Sequence, residues 1–184
     1  EVECTLRLGQ LQGRLALAAE ALASLKKAAS SPAKGPAAFF VSAARWELAR
    51  AAEAQIGVDK QQTEKLTLEN LAKILPKRLQ NFELLQKAVA PVLELGGPYS
   101  VQASYKLAKA ALDLASEMEA VAPEDKTVKQ ASAGLRGKAA QILKQQLAKA
   151  QENEWLSPEI ARVMGELMKK QKEGWAYKIG RAHV

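Results

Sequence analysis

The chain has 184 residues, enough for one domain that buries about 70% of its unfolded surface without disulfides or metals. Its single cysteine excludes an internal disulfide framework and a cysteine-rich metal site. The net charge of +7 at neutral pH favours an acidic partner, and the sequence has no apolar run of about eighteen residues, so we predict no membrane span.

The composition predicts one helical domain over residues 1–178. Ala, Leu, Lys, Gln and Glu are abundant, β-branched residues are sparse, and aromatic residues make up 5% of the chain. The abundant residues favour helices, and no segment has the composition of a strand.

The first predicted helix covers residues 4–29, and its apolar residues recur at alternating steps of three and four, as in the seam of a helical bundle. These residues are Leu8, Leu11, Leu15, Ala18, Leu22 and Leu25. The segment from Ser30 to Pro36 ends this helix. A shorter helix, residues 37–56, follows. Trp46 lies off its apolar stripe, so it is either a rim residue, which we favour, or part of a docking surface.

A third helix is predicted over residues 65–90. Pro76 lies in its middle, which predicts either a kink or two shorter helices that meet at Leu75. After the Gly96-Gly97-Pro98 break, a fourth helix covers 99–121. Its Asp113 and Glu117 lie one turn apart, an arrangement that suits a metal ion or, in the interpretation we prefer, a solvated surface pair.

The longest helix is predicted over residues 126–152. Pro123, Glu124 and Asp125 precede it, and acidic residues are favourable at the positive end of a helix dipole. Gly134 and Gly137 lie among alanines, so we interpret them as the crossing point of another helix. A phosphate-binding loop is the alternative, but it requires a longer glycine spacing, a Ser or Thr after the Lys, and a preceding strand.

Ser157, Pro158 and Glu159 have the pattern of a helix start, so a last helix is predicted over 158–173. The end of the chain resembles an in-frame translation of a common sequencing-adapter oligonucleotide. We therefore expect residues 179–184, and with them the only histidine, His183, to be an artefact.

The chain begins without Met or a targeting segment, so we expect a processed or incomplete N-terminus. Near it, Cys4 is expected to be a free thiol, with an intermolecular disulfide or a lipid attachment as alternatives.

Short loops between helices predict an antiparallel, up-and-down helical bundle. Four long helices, near 4–29, 65–90, 99–121 and 126–152, would form it, with the shorter helices 37–56 and 158–173 packed outside. The residues expected to be buried together are Leu15, Leu22, Leu71, Phe82, Leu112, Leu135 and Ile142.

The sequence contains few of the residue combinations that enzymes use for catalysis. Without a histidine before the tail, the sequence lacks Ser-His-Asp and Cys-His machinery, a Glu-x-x-His di-iron site, a haem histidine and the common zinc sites. Acidic residues are scattered among lysines rather than paired in a pattern for acid–base catalysis. We predict a non-enzyme with no catalytic residue, metal or cofactor.

Three kinds of acidic partner fit the net charge of +7. Nucleic acid favours basic residues clustered with aromatics, whereas the dense basic run near residue 170 is interpreted as a solvated helix end. A membrane surface favours a strongly basic segment with bulky apolar residues, and here acids are mixed with bases. An acidic protein surface fits best. The candidate docking residues are Trp46, Trp155, Lys169, Lys170, Lys172, Trp175 and Tyr177.

The segment Trp46-Glu-Leu-Ala-Arg50 is similar to the Trp-x-x-x-Arg pattern on an early helix of the PsbQ-type extrinsic subunits of algal photosystem II. The resemblance covers these five residues and the basic, Ala/Leu/Lys-rich composition. It implies a four-helix bundle on the lumenal side of the thylakoid, docked on larger subunits of a membrane-associated complex that it stabilises. It assigns no binding residue. The extra short helices and the glycine pair depart from that family.

Two other classes share this composition. One is an accessory subunit of a mitochondrial respiratory or ATP-synthase complex. The other is a cytoskeletal helical bundle of the talin or vinculin kind, whose Ala-rich helices look much like these.

Overall fold

The computed structural model describes residues 1–58, 64–152 and 165 of the chain. These residues form helices and connecting segments, without a strand. The prediction of an all-α protein is therefore confirmed for this part. The helices are α1 (Val2–Arg14), α2 (Ala18–Ala29), α3 (Ala37–Val58), α4 (Leu71–Leu95), α5 (Gly97–Val121) and α6 (Lys126–Glu152).

The prediction of one helix over residues 4–29 is wrong, because the chain reverses between Arg14 and Ala18. Ala16 has a positive φ of 60°, a backbone conformation that few residues other than glycine adopt. The Leu17 amide donates a hydrogen bond of 2.9 Å to the Gln12 carbonyl, which closes the turn. The leucine spacing is satisfied within each half, so it did not reveal the break. The two halves, α1 and α2, pack against each other as a hairpin.

Gly9 lies where the two helices of this hairpin approach most closely. A Cβ at this position would lie 2.9 Å from Leu25 Cγ and 3.2 Å from the Ala21 carbonyl oxygen.

The prediction that another helix crosses at Gly134 and Gly137 is wrong for the described part of the chain. Both glycines are exposed on α6, and a Cβ on either would have no neighbour within 4 Å.

Helix α4 begins at Leu71, six residues later than the predicted start at residue 65. Thr67 and Asn70 exchange hydrogen bonds just before it: the Thr67 amide donates to Asn70 Oδ1 at 2.8 Å, and the Asn70 amide to Thr67 Oγ1 at 3.4 Å. The helix then continues through Pro76 to Leu95, so it is not divided at Leu75. Pro76 lies so close to the start that its missing N–H removes only one of the first helical hydrogen bonds.

The larger hydrophobic core joins α3, α4, α5 and α6. Of the residues that we expected in it, Phe82, Leu112 and Leu135 are buried there. Leu71 and Ile142 are half-buried and pack against it. The expectation for Leu15 and Leu22 is wrong, because the hairpin turn leaves them 62% and 38% exposed. A second, smaller cluster joins the hairpin to α3, with Leu6, Leu25, Ala28, Ala29, Ala43 and Ala44 buried in it.

Helix α3 packs against α1, α2, α4 and α5 and therefore connects the two hydrophobic clusters. Arg45 on this helix joins three elements. Its Nε donates to the Ala29 carbonyl at the end of α2, and its Nη1 donates to the Pro91 carbonyl on α4, both at 3.1 Å. The Ala29 carbonyl is among the last in its helix, so Arg45 supplies a donor for a group that has no partner within the helix.

Helix α6 packs extensively on α5. As the sequence predicted, acidic residues mark its start: Asp125 Oδ1 accepts hydrogen bonds from the amides of Thr127 at 2.7 Å and Val128 at 3.0 Å. About two turns beyond Val128, Arg136 holds the Glu119 carboxylate with two hydrogen bonds of 3.0 and 2.6 Å. These hydrogen bonds lower the pKa of Glu119 from its ordinary value of 4.5.

Replacing Gly9 by alanine is expected to destabilise the protein, and the same change at Gly134 is expected to stabilise it. Alanine improves helix propensity by about 1 kcal/mol at either site. At Gly9 the new Cβ meets Leu25 and the Ala21 carbonyl, and overpacking of this kind costs about 1–3 kcal/mol. Urea unfolding of both variants measures the difference. Destabilisation by Gly134→Ala would mean that another part of the chain does pack there.

Glu119→Gln should lower stability by about 0.2–1 kcal/mol at neutral pH, the range for partly exposed ion pairs. The folded-state pKa lies below the unfolded value, so the carboxylate contributes stability above about pH 4.5 and loses it as pH falls through the folded-state pKa. The difference from the wild type should therefore shrink in acid. Thermal unfolding against pH measures it, with Glu83→Gln on the exposed side of α4 as the control. A difference that persists in acid would exclude the ion pair as its cause.

Candidate docking surface

The leucine face is formed by Leu8 and Leu11 on the outward side of α1 and by Leu15, which directly follows the last residue of this helix. Their side chains are 49%, 53% and 62% exposed. They recur at steps of three and four residues and therefore share one side of the helix. Single exposed leucines are ordinary on protein surfaces, but a contiguous row is typical of an interaction site.

Contacts on both flanks of α1 set the direction in which this face points. On one flank, Gln10 Nε2 donates to Glu47 Oε1 of α3 at 3.4 Å. On the other, Ser24 Oγ of α2 donates to Gln12 Oε1 at 2.7 Å. Between these bonds, α1 turns Leu6 and Gly9 inward. The leucine face is consequently held toward solvent.

A groove of about 920 Å³ separates the hairpin from the second half of α3. We call it the hairpin groove. Its floor consists of small or apolar residues from both sides: Gly9, Gly13, Ala18, Ala21, Leu22, Leu25, Ala51 and Ala54. Because most of these side chains are small, a second backbone can approach the floor closely.

The rim of the hairpin groove carries charges, most of which are neutralised. Arg50 Nη1 lies 3.4 Å from Glu47 Oε2. Lys106 forms an ion pair with Glu53, and its Nζ lies 5.7 Å from the centroid of the Trp46 ring. Arg14 also lines the groove, and no described residue forms an ion pair with it. The rim therefore keeps a positive charge beside an apolar floor.

A second, smaller cavity of about 320 Å³ lies among α3, α4 and α5 and includes the Asp113 and Glu117 pair. Glu117 pairs with Arg78, and Asp113 pairs with Lys109. The hydrogen bond to Asp113 raises the pKa of Lys109. Each carboxylate thus faces its own cation. The described residues contain no group of three or more His, Cys, Asp or Glu placed to hold a metal ion.

The structure places Trp46, one of the candidate docking residues, in the core. It is 9% exposed and belongs to the larger core, so the expectation of a rim residue is wrong, and its side chain offers little surface for docking. The physical reason is that α3 has neighbours on several sides, so residues off its apolar stripe are also covered. The other candidates lie outside the described residues: Trp155, Lys169, Lys170, Lys172, Trp175 and Tyr177.

Sequence reasoning missed the residues that are exposed here. From the sequence we assigned Leu8, Leu11 and Leu15 to the core. Apolar residues at steps of three and four share one side of a helix, but the spacing does not show whether that side is buried or exposed. Phe39 was also missed: it is 49% exposed and lies 5.4 Å from the rings of both Phe40 and Tyr99. Gly13, just before the turn, was the available signal for the break, because glycine lowers helix propensity.

Cys4 lies at the start of α1, four residues before Leu8 and thus on the side of the leucine face. Its side chain is exposed, and it forms no disulfide within the described residues. Among those residues, no helix combines the length and apolar character that crossing a membrane requires.

Comparisons with protein families, with curated proteins and with solved structures find no match to this chain.

Leu11→Gln should change the free energy of unfolding by no more than about 0.5 kcal/mol, because the side chain already lies in water. Leu25→Ala, on the buried side of the same hairpin, should cost about 2–5 kcal/mol. Urea unfolding of the two variants makes the comparison. A loss well above 1 kcal/mol for Leu11→Gln would show that the folded chain covers the leucine face.

Proposed function

We propose that this chain is a non-catalytic structural subunit that docks on a larger protein assembly. The observation that carries the proposal is the leucine face, a row of apolar side chains on a helix whose rotation is fixed by hydrogen bonds on both flanks. Burying one leucine contributes about 1.5–3 kcal/mol, so three of them supply a substantial contact. In the free chain this surface stays in water.

The proposed framework is an up-and-down bundle in which successive helices alternate in direction. Several contacts support it. Arg45, in the first half of α3, reaches the Ala29 carbonyl at the end of α2 and the Pro91 carbonyl near the end of α4. Phe39 at the start of α3 meets Tyr99 at the start of α5, and Ser100 contacts Gln146 near the end of α6. The start of α3, the start of α5 and the ends of α2, α4 and α6 would then lie at one end of the molecule.

The charge of the chain complements this apolar surface. At +7 it is attracted to an acidic partner, which raises the rate of encounter. Individual rim charges contribute about 1 kcal/mol or less and are screened by salt. Docking is therefore expected to combine salt-sensitive lysines and arginines with salt-resistant leucines.

Within this class, we propose a PsbQ-like extrinsic subunit in the thylakoid lumen that stabilises photosystem II. Support comes from the Trp46 and Arg50 pattern and from the basic composition. Both residues lie on α3, with Trp46 in the core and Arg50 paired with Glu47 at the surface. An accessory subunit of a mitochondrial respiratory or ATP-synthase complex is the alternative, followed by a cytoskeletal bundle of the talin or vinculin kind.

The test is co-purification from native material, followed by release and rebinding. The chain should leave its parent assembly only partly in about 1 M salt, where the screening length is about 3 Å. Recovery with photosystem II supports the leading proposal, whereas recovery with a respiratory complex or with actin supports one of the alternatives. Purification alone at every salt concentration, together with turnover of a substrate, would refute the docking proposal.

Rebinding to the salt-washed assembly should be at least about tenfold weaker for Leu11→Glu, because a carboxylate cannot enter an apolar contact without a large desolvation cost. Leu84→Glu is the matched control. Leu84 is 45% exposed on α4, so it has a similar environment outside the leucine face. Equal rebinding of the two variants would contradict the assignment of the leucine face.

A further inference from the structure

We infer that the hairpin groove receives an amphipathic helix from the partner subunit, with large apolar residues on one side and an acidic residue opposite Arg14. This inference rests on the proposed docking function and specifies the chemistry of the partner. The juxtaposition that supports it is an apolar floor, shared by two helices and α3, next to a cation without an ion pair among the described residues.

The shape of the groove selects a helix over a small molecule. Sites for small molecules usually enclose most of the ligand surface. The hairpin groove lies open between the hairpin and α3, and glycine and alanine line much of it. The α3 side runs from Glu47 to Gln55, about 12 Å at the rise of a helix, which matches about two helical turns. An amphipathic helix in such a groove inserts residues at i, i+3, i+4 and i+7.

The apolar surface continues from the groove onto the hairpin. Leu22 lines the groove and is 38% exposed, and Leu17, at the turn, is 43% exposed. A partner that fills the groove therefore also covers the exposed part of Leu22.

Charge determines which helix fits. The two acids of the rim, Glu47 and Glu53, already pair with Arg50 and Lys106. Arg14 is left to meet a partner carboxylate. A second copy of this chain is a poor occupant, because α1, the helix with the exposed leucines Leu8 and Leu11, also carries Arg14, while its Arg7 is already paired with Glu3 at 3.9 Å. Inserting that helix would bring like charges together next to Arg14, which is unfavourable at an interface.

The experiment uses the full-length chain and a fluorescein-labelled helical peptide of about 15 residues. The peptide carries leucines at i, i+3, i+4 and i+7 and glutamates along their edge; a second peptide has lysines in place of the glutamates. Fluorescence anisotropy should show that the acidic peptide binds more tightly. Arg14→Glu should weaken its binding about fivefold and strengthen that of the lysine peptide, consistent with one exposed charge contact.

Ala54→Trp tests the groove itself, because Ala54 is an exposed residue that lines it and the indole would fill the space. Binding of the acidic peptide should fall at least about tenfold. Ala133→Trp, at an exposed position on α6, is the matched control and should bind like the wild type. Circular dichroism should show the same helix content and melting temperature for all three proteins. Equal affinity of Ala54→Trp and the wild type, absence of peptide binding, or no preference for the acidic peptide would each overturn the inference.

Two further measurements separate the failure of this inference from the failure of the docking function. If Leu11→Glu impairs rebinding to the salt-washed assembly while Ala54→Trp rebinds normally, the docking function stands and the groove assignment is wrong. If the wild type rebinds to no assembly, the docking function itself fails, and peptide binding alone decides the groove. Light scattering tests whether a second copy of the chain occupies the groove. If the wild type is a dimer and Ala54→Trp is a monomer, the inference is overturned in favour of self-association.

Discussion

The close approach of α1 and α2 at Gly9 is the contact on which the surface of this protein depends. A side chain at this position would meet Leu25 and the Ala21 carbonyl, so the absence of a Cβ on glycine lets the hairpin close without overpacking. Once it closes, the Leu6 side of α1 is buried and the Leu11 side faces water. The hairpin groove follows from the same contact, because the hairpin occupies only part of the space along α3.

The rest of the molecule supports this arrangement from within. Helix α3 contributes to both hydrophobic clusters, and Arg45 ties it to the carbonyls of Ala29 and Pro91. Lys106 on α5 contacts Trp46 and Glu53 on α3, at the edge of the groove. The groove rim is thus anchored in the larger core. A rigid rim reduces the conformational entropy lost when a partner binds, which favours docking.

Apolar and charged contacts play different parts in the proposed docking. Leucines contribute free energy that salt hardly affects, whereas exposed cations such as Arg14 direct encounter and help select the partner. The carboxylates near the groove are paired within the chain: Glu47 with Arg50, and Glu53 with Lys106. These pairs leave the positive charge of Arg14 available at the groove, so the chain discriminates in favour of an acidic helix.

Local sequence signals determined the helical class and several helix ends. Asp125 was identifiable as the start of α6, and Gly96 as the end of α4, because these residues act on the backbone beside them. The sequence did not determine which side of each helix is covered. The spacing of Leu8, Leu11 and Leu15 is typical of core residues, yet they are exposed. The position of Trp46 in the sequence is typical of a rim residue, yet it is buried. The reason is that Ala16 carries no turn signal, whereas the packing of α1 on α2 and of four helices around α3 is set by contacts between residues distant in sequence.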